Sequence, residues 1–218
     1  EVWYFIRAPQ RDQVEELTAR IRNIAKGATL MTETTVDERF EAGAYNILPN
    51  DVLADLMQQI LEDLGPISFT DEEQAYAQTI VDGYPAGTIE AGMAAADRPM
   101  SLLEKPLVEA PQPINDEGKS MPGSTDVGDV SWITPTVTAW TTCAPAGIPG
   151  HSWGIVAAGG MSIGHKGMLH AAKTMALTAV ELFTNPDTLQ QAQDEFKQRT
   201  GGKPYKCPIP DDVEPPLP

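Results

Sequence analysis

Residues 144–173, APAGIPGHSWGIVAAGGMSIGHKGMLHAAK, join a glycine-rich segment to an apolar one and hold every histidine of the chain. The glycines of 147–164 predict a loop, because glycine adopts turn conformations that other residues avoid. Ala, Met and Leu dominate residues 165–184 and predict a long helix that is buried on most sides. Three clustered imidazoles raise the question of whether they form a metal site, a catalytic site or neither.

The spacing of the histidines separates them into different environments. His165 and His170 are five positions apart, whereas two ligands on one helix face need three or four. We expect His170 to pack along the helix, and His165 to bond backbone groups where the loop meets the helix. His151 lies in a loop after a predicted strand, where ligands and catalytic groups are often placed. The residues alone leave a metal ligand and an ordinary loop residue as alternatives for His151.

The rest of the chain is predicted to contain both strands and helices. β-Branched and aromatic residues favour four strands, at 2–8, 32–45, 128–133 and 136–142. Caps and helical spacing favour four further helices: from Asp12 to a stop at Gly27, from Asn50 to Gly65, from Thr70 to about Val81, and over about 187–199. Residues 82–123 predict a long loop, and those from Pro208 a surface strap or a disordered tail.

Composition and charge exclude several classes of partner. The 218 residues include 31 acidic and 15 basic side chains, for a formal net charge of −16. Such a surface repels phosphate backbones and anionic lipids, so we expect neither nucleic acid nor membrane as a partner. No run approaches the roughly 20 apolar residues that span a bilayer, and no signal peptide is evident. Cys143 and Cys207 lack metal-like spacing, which favours reduced thiols and a cytoplasmic location.

Two further sites in the sequence carry candidate chemistry. In GSTDVGDVSW, residues 123–132, Asp126 and Asp129 are interpreted either as turn residues or as carboxylates that orient a metal-bound His or contact substrate. Arg7 ends the first apolar segment and is either an outward-facing residue or a receptor for an anion, since Arg binds carboxylates in bidentate fashion. The chain begins with this apolar segment and without Met, so we expect it to be part of a longer polypeptide.

The order of several motifs resembles a known family. The segments EVWYFIRAP, YNILPN, GSTDVGDVSW, PGHSWGIVAAGG and GHKGMLHAAK look like the C-terminal half of the metal-dependent aminoacylase/carboxypeptidase G amidohydrolases. The resemblance implies an α/β fold: the C-terminal part of a zinc exopeptidase-like, mixed-sheet catalytic domain with helices on both faces. Residues 1–47 would be the C-terminal part of a small α/β lid and dimerisation domain, and residues 48–218 the catalytic part.

The same resemblance implies roles for individual residues. The family binds two divalent metal ions, zinc or manganese, bridged by a water. His151 matches a metal ligand, and Arg7 matches an arginine that receives the carboxylate of the substrate. Asp126 and His165 would support the ligands from behind. The remaining ligands, and the Glu that acts as general base, would lie upstream of this chain. A bound divalent metal lowers the pKa of water and polarises an amide carbonyl.

The resemblance also implies a reaction and partners. We expect hydrolysis of p-aminobenzoyl-glutamate to p-aminobenzoate and glutamate, through a metal-bridged water, when the enzyme is intact. The chain alone would be inactive, since one His cannot build the site. A second hydrolase subunit, or a second copy bound through the lid domain, would be the protein partner. Two alternatives remain open: hydrolysis of another N-acyl amino acid or dipeptide, and a non-catalytic binding or assembly subunit.

Overall fold

Helices make up all the regular structure in the described part of the protein. The computed structural model describes residues 1–116, 118–120 and 123–213. Within them, eight α-helices run in this order: α1 Arg11–Thr32, α2 Asp51–Leu64, α3 Asp71–Asp82, α4 Thr88–Ala95, α5 Val127–Ser131, α6 Trp153–Gly159, α7 Ser162–Thr184 and α8 Pro186–Thr200. A short 3-10 helix, Met100–Glu104, follows α4. None of the described helices combines the length and the hydropathy needed to cross a bilayer.

The predicted α/β fold, with its mixed sheet, is wrong. The described residues contain no β-strand. Segments 2–8, 32–45 and 136–142 hold no sheet structure, and the fourth predicted strand begins inside α5. Strand composition only states which side chains fit a pleated surface, whereas a strand also needs a neighbour for its N–H and C=O groups. Val2 to Phe5 find no such neighbour here and stay 63–82% exposed.

Most of the predicted helices are present, but some of them begin or end at other residues than predicted. The structure confirms helices at the positions of α2, α3, α7 and α8. Helix α1 continues through Gly27, the predicted stop, and ends at Thr32. Helix α6 forms within the predicted loop 147–164. Of the predicted loop 82–123, Glu117, Met121 and Pro122 lie outside the described residues, as do residues 214–218 of the predicted tail.

The described chain separates into two compact units. The first unit contains residues 1–50, 116–136 and 192–218, and the second contains residues 51–115 and 137–191. An aromatic cluster organises the first unit: the rings of Trp132 and Tyr205 lie 5.3 and 5.4 Å from the ring of Tyr45. The Trp132 indole N–H donates to the carbonyl of Asn46 at 2.8 Å. These contacts join the C-terminal end of α5 to two segments without regular structure.

Helices α3, α6 and α7 provide most of the apolar core of the second unit. This core consists of buried side chains from α3, α6, α7 and the segments before α3 and after the 3-10 helix: Ile67, Phe69, Ala77, Ile80, Leu107, Ala158 and Ile163. Helix α2 also packs against α7. The prediction that α7 is buried on most sides is wrong, because Met168, Met175 and Phe183 are 58–89% exposed.

Candidate functional site

His151 lies on a short loop between Gly147 and α6, in the second unit. Its side chain is exposed. Gly147 begins the loop with φ of 78°, which L side chains rarely adopt, so a glycine is required there. The carbonyl of Gly147 approaches Gly92 of α4 so closely that a Cβ on Gly92 would collide with it. The loop is therefore held tightly at its first residue.

Tyr84 holds the other end of the same loop. Its hydroxyl lies 2.5 Å from the Ser152 hydroxyl and accepts a hydrogen bond from the Gly154 backbone N–H at 3.1 Å. Its ring stacks on the Trp153 indole, with centroids 5.1 Å apart and planes 15° apart. A single side chain from just beyond α3 thus fixes the three residues that follow His151.

His165 lies in the first turn of α7, beside an ion pair that anchors this helix to α3. The His165 side chain is exposed, and the backbone N–H of this residue donates to the Met161 carbonyl. The neighbouring Lys166 ammonium donates to the Glu73 carboxylate at 2.6 Å and to the Ser68 carbonyl at 2.9 Å. Burial alone would raise the pKa of Glu73, but hydrogen bonds from Lys166, Ser162 and the Thr70 N–H lower it to about 2. The turn that carries His165 is therefore firmly placed.

The structure brings Arg7 to the GSTD motif in the first unit. A guanidinium N–H of Arg7 donates to the Ser124 hydroxyl at 3.4 Å, and the side chain is exposed. Asp126 is also exposed, and its carboxylate accepts only a weak 3.4 Å hydrogen bond from Thr125 among the bonds the structure assigns. Arg7 and this motif therefore share one surface of the first unit, whereas His151 and His165 belong to the second.

Asp129, rather than Asp126, is the anchored carboxylate of the motif. It accepts from the Tyr45 backbone N–H at 3.2 Å and from the Tyr205 hydroxyl at 2.8 Å. Burial raises the pKa of the Tyr205 hydroxyl, and the bond to Asp129 raises it further, so that it stays a neutral donor. The turn interpretation of the motif assigned no such role to Asp129. Its partners are 84 and 76 positions away, where no local pattern could identify them.

His170 lies on α7 and is half-buried. Burial lowers the pKa of its imidazole, and the charge of Lys173 lowers it further, which keeps the ring neutral near pH 7. Its placement within the helix agrees with the packing role that its position predicts. No assigned contact joins it to the His151 loop.

The described residues do not by themselves fit a metal ion. Among them, no three or more His, Cys, Asp and Glu side chains converge as a metal site requires. Catalytic zinc sites use three protein ligands, and two-metal sites need more. Within the described chain His151 is thus one exposed imidazole rather than part of a formed metal centre.

Comparison with known proteins identifies relatives among hydrolases. The chain is 39% identical, over 99% of its length, to a subunit of the p-aminobenzoyl-glutamate hydrolase of Escherichia coli strain K12. It is 24% identical, over 90% of its length, to the Xaa-Arg dipeptidases of mouse and human. No protein-family model and no solved structure matches the chain.

These similarities confirm the resemblance that the motifs indicated. The chain is similar to proteins named as a p-aminobenzoyl-glutamate hydrolase subunit and as Xaa-Arg dipeptidases. It spans about half of the length of the bacterial relative, at 47%, and about a third of the dipeptidases, at 36% and 35%.

Proposed function

We propose that this relative of a p-aminobenzoyl-glutamate hydrolase subunit takes part in hydrolysing the amide bond of an N-acyl amino acid. The 39% identity over 99% of the chain carries this proposal, and it makes p-aminobenzoyl-glutamate the first substrate to test. The substrate p-aminobenzoyl-glutamate carries two carboxylates and would meet a chain of net charge −16, so a locally placed cation is needed to bind it. Arg7, exposed beside Ser124, is the cation that we assign to this task.

We assign His151 one ligand position in a divalent metal site for zinc or manganese. An exposed imidazole on a loop fixed at Gly147 and at Ser152 is suited to this, because a ligand must hold its place before the metal arrives. The other ligands and the general base would be contributed from outside the described residues. His165 would support the His151 ligand within the second unit, and Asp126 keeps its proposed supporting role within the first unit. A second subunit or a second copy of the chain would be the protein partner.

A second candidate substrate class is a dipeptide. The named activity of the mouse and human relatives favours it, although at 24% identity the support is weaker. Both classes share the amide bond and a free carboxylate on the leaving amino acid, so the same exposed Arg7 would serve either. The two classes differ on both sides of that bond. The acyl group is an aromatic p-aminobenzoyl group in one case and an aminoacyl group in the other, and the leaving amino acid is glutamate in one case and arginine in the other.

A substrate panel on the full gene product tests the proposal. The metal-free protein is loaded with zinc or manganese and given p-aminobenzoyl-glutamate, N-acetyl amino acids and Xaa-Arg dipeptides, with liquid chromatography of the products. We expect p-aminobenzoate and glutamate to appear at the highest kcat/KM. Preference for a dipeptide would select the second candidate. Absence of hydrolysis with every substrate and both metals would contradict the enzyme assignment and favour a non-catalytic role in binding or assembly.

A further inference from the structure

We propose that Tyr84 is the positioning residue for His151, and this inference rests on the proposed function of that histidine. Tyr84 follows α3 directly after Gly83 and touches no part of the His151 imidazole in any assigned contact. Its role is to fix the backbone of the residues that follow His151, from Ser152 to Gly154. It does so through a chain of hydrogen bonds whose directions the geometry determines.

The Ser152 hydroxyl sets the direction of that chain. It donates to the Pro149 carbonyl at 2.6 Å, and a serine hydroxyl has only one hydrogen to give. The 2.5 Å contact between Tyr84 and Ser152 must therefore have the tyrosine as donor. The Tyr84 oxygen then accepts from the Gly154 N–H. The bonds run from Gly154 N–H to Tyr84, to Ser152, and to the Pro149 carbonyl, and His151 lies inside the loop they close.

Close packing restricts the position of the Tyr84 side chain. A Cβ placed on Gly154 would lie 2.5 Å from the Tyr84 hydroxyl and 2.9 Å from Ile80 Cγ2. A Cβ on Gly83 would lie 2.8 Å from the Trp153 ring. The tyrosine ring therefore cannot shift without breaking either the stack on Trp153 or the bond to Gly154. Hydrogen bonds in such a chain polarise one another, which strengthens the whole set.

Removing only the Tyr84 hydroxyl should loosen the loop without removing the ring. Ser152 would lose its donor and Gly154 would lose its acceptor, while the stack on Trp153 would persist. His151 would then leave its productive position for part of the time. Such a change should lower the rate of the chemical step more than it weakens substrate binding, because Arg7, the proposed receptor for the carboxylate of the substrate, is unchanged.

The experiment compares Tyr84→Phe with Tyr76→Phe in the full gene product. Tyr76 is the matched control, since it lies on α3 and its hydroxyl donates to the Ala157 carbonyl of α6 at 3.3 Å, away from the loop. We expect Tyr84→Phe to lower kcat about tenfold to a hundredfold with KM changed less than about twofold. Tyr76→Phe should leave both near wild type. Equal kinetics for the two variants would overturn the inference.

A second measurement separates this inference from the proposed function. Hydrogen exchange of the Gly154 amide should become at least about tenfold faster in Tyr84→Phe and remain unchanged in Tyr76→Phe, whatever the activity. Unchanged exchange would overturn the positioning role by itself. If His151→Ala removes turnover while Tyr84→Phe matches wild type, the inference fails and the proposed function stands. If Tyr84→Phe does not fold, Ser152→Ala breaks the same chain of bonds and takes its place.

Discussion

The loop that carries His151 and the segment that carries Arg7 both hold a proposed site residue, but the chain fixes them to different degrees. The His151 loop has a close glycine contact at one end and a tyrosine with two hydrogen bonds and a ring stack at the other. The Arg7 segment follows four exposed apolar residues, and the guanidinium makes one 3.4 Å hydrogen bond. Folding of the described chain therefore specifies the position of His151 in detail and that of Arg7 only loosely.

The largest effect on stability is expected from overpacking the His151 loop. Gly154→Ala places a methyl group against the Tyr84 hydroxyl and Ile80, so we expect a loss of about 3 kcal/mol in the free energy of unfolding. Gly150→Ala is the matched control, because a Cβ there meets nothing within 4 Å. Urea denaturation of both variants measures the difference. A loss below about 0.5 kcal/mol for Gly154→Ala would show that the loop is not tightly held.

A smaller loss in the free energy of unfolding is expected when Glu73 is neutralised. Glu73 fixes the turn that carries His165. Its side chain is only 11% exposed, and Glu73→Gln leaves the Lys166 ammonium without its carboxylate, so we expect a loss of roughly 2 kcal/mol at pH 7. Glu16→Gln, in an exposed pair with Arg20 at 4.0 Å, is the control and should cost under about 0.5 kcal/mol.

The difference in free energy of unfolding between wild type and Glu73→Gln should depend on pH in a definite direction. Because the pKa of Glu73 falls from its ordinary value of 4.5 to about 2 in the folded state, its contribution is fully present above pH 4.5. It is lost as the pH falls from 4.5 towards 2, where the carboxyl protonates in both states. The stabilities of wild type and Glu73→Gln should therefore converge over this range. A constant difference down to about pH 2 would contradict the ion pair as its source.

The smallest effect on stability is expected for a substitution of Arg7. Arg7→Ala removes an exposed side chain with one weak bond, so the free energy of unfolding should change by less than about 0.5 kcal/mol. In the full gene product the same change should raise KM for p-aminobenzoyl-glutamate about tenfold or more, because a carboxylate partner is lost. Arg39→Ala is a control with a similarly exposed guanidinium, paired with Glu41. Equal KM values for the two variants would remove Arg7 from the site.

Sequence patterns correctly predicted structural features that depend on contacts between residues close in sequence. The Thr70–Glu73 capping box is present, with the Glu73 N–H donating to the Thr70 hydroxyl at 3.2 Å and the Thr70 N–H donating to the Glu73 carboxylate at 2.7 Å. Strands could not be predicted in the same way, because composition does not show whether a partner strand exists. Asp126 and Asp129 have the same turn chemistry in sequence, and only distant Tyr45 and Tyr205 distinguish them.

In the candidate site, too, local sequence predicted some features, and contacts between distant residues determine the others. The position of His151 in a loop was predictable from glycine and proline, whereas its fastening by Tyr84 joins residues 68 and 70 positions apart and leaves no local signal. The roles of His151, Arg7, Asp126 and His165, and the division at residues 47 and 48, stay predictions. Each depends on groups or partners beyond the described residues.

The turnover of His151→Ala in the metal-loaded full gene product tests whether His151 is a metal ligand. His170→Gln, on the half-buried face of α7, serves as the matched control, and thermal unfolding shows that both variants are folded. With p-aminobenzoyl-glutamate as substrate, we expect kcat/KM to fall more than about a hundredfold for His151→Ala, with less bound metal. For His170→Gln we expect kcat/KM to stay within about threefold of wild type. Wild-type turnover and metal content in folded His151→Ala would contradict that role for His151.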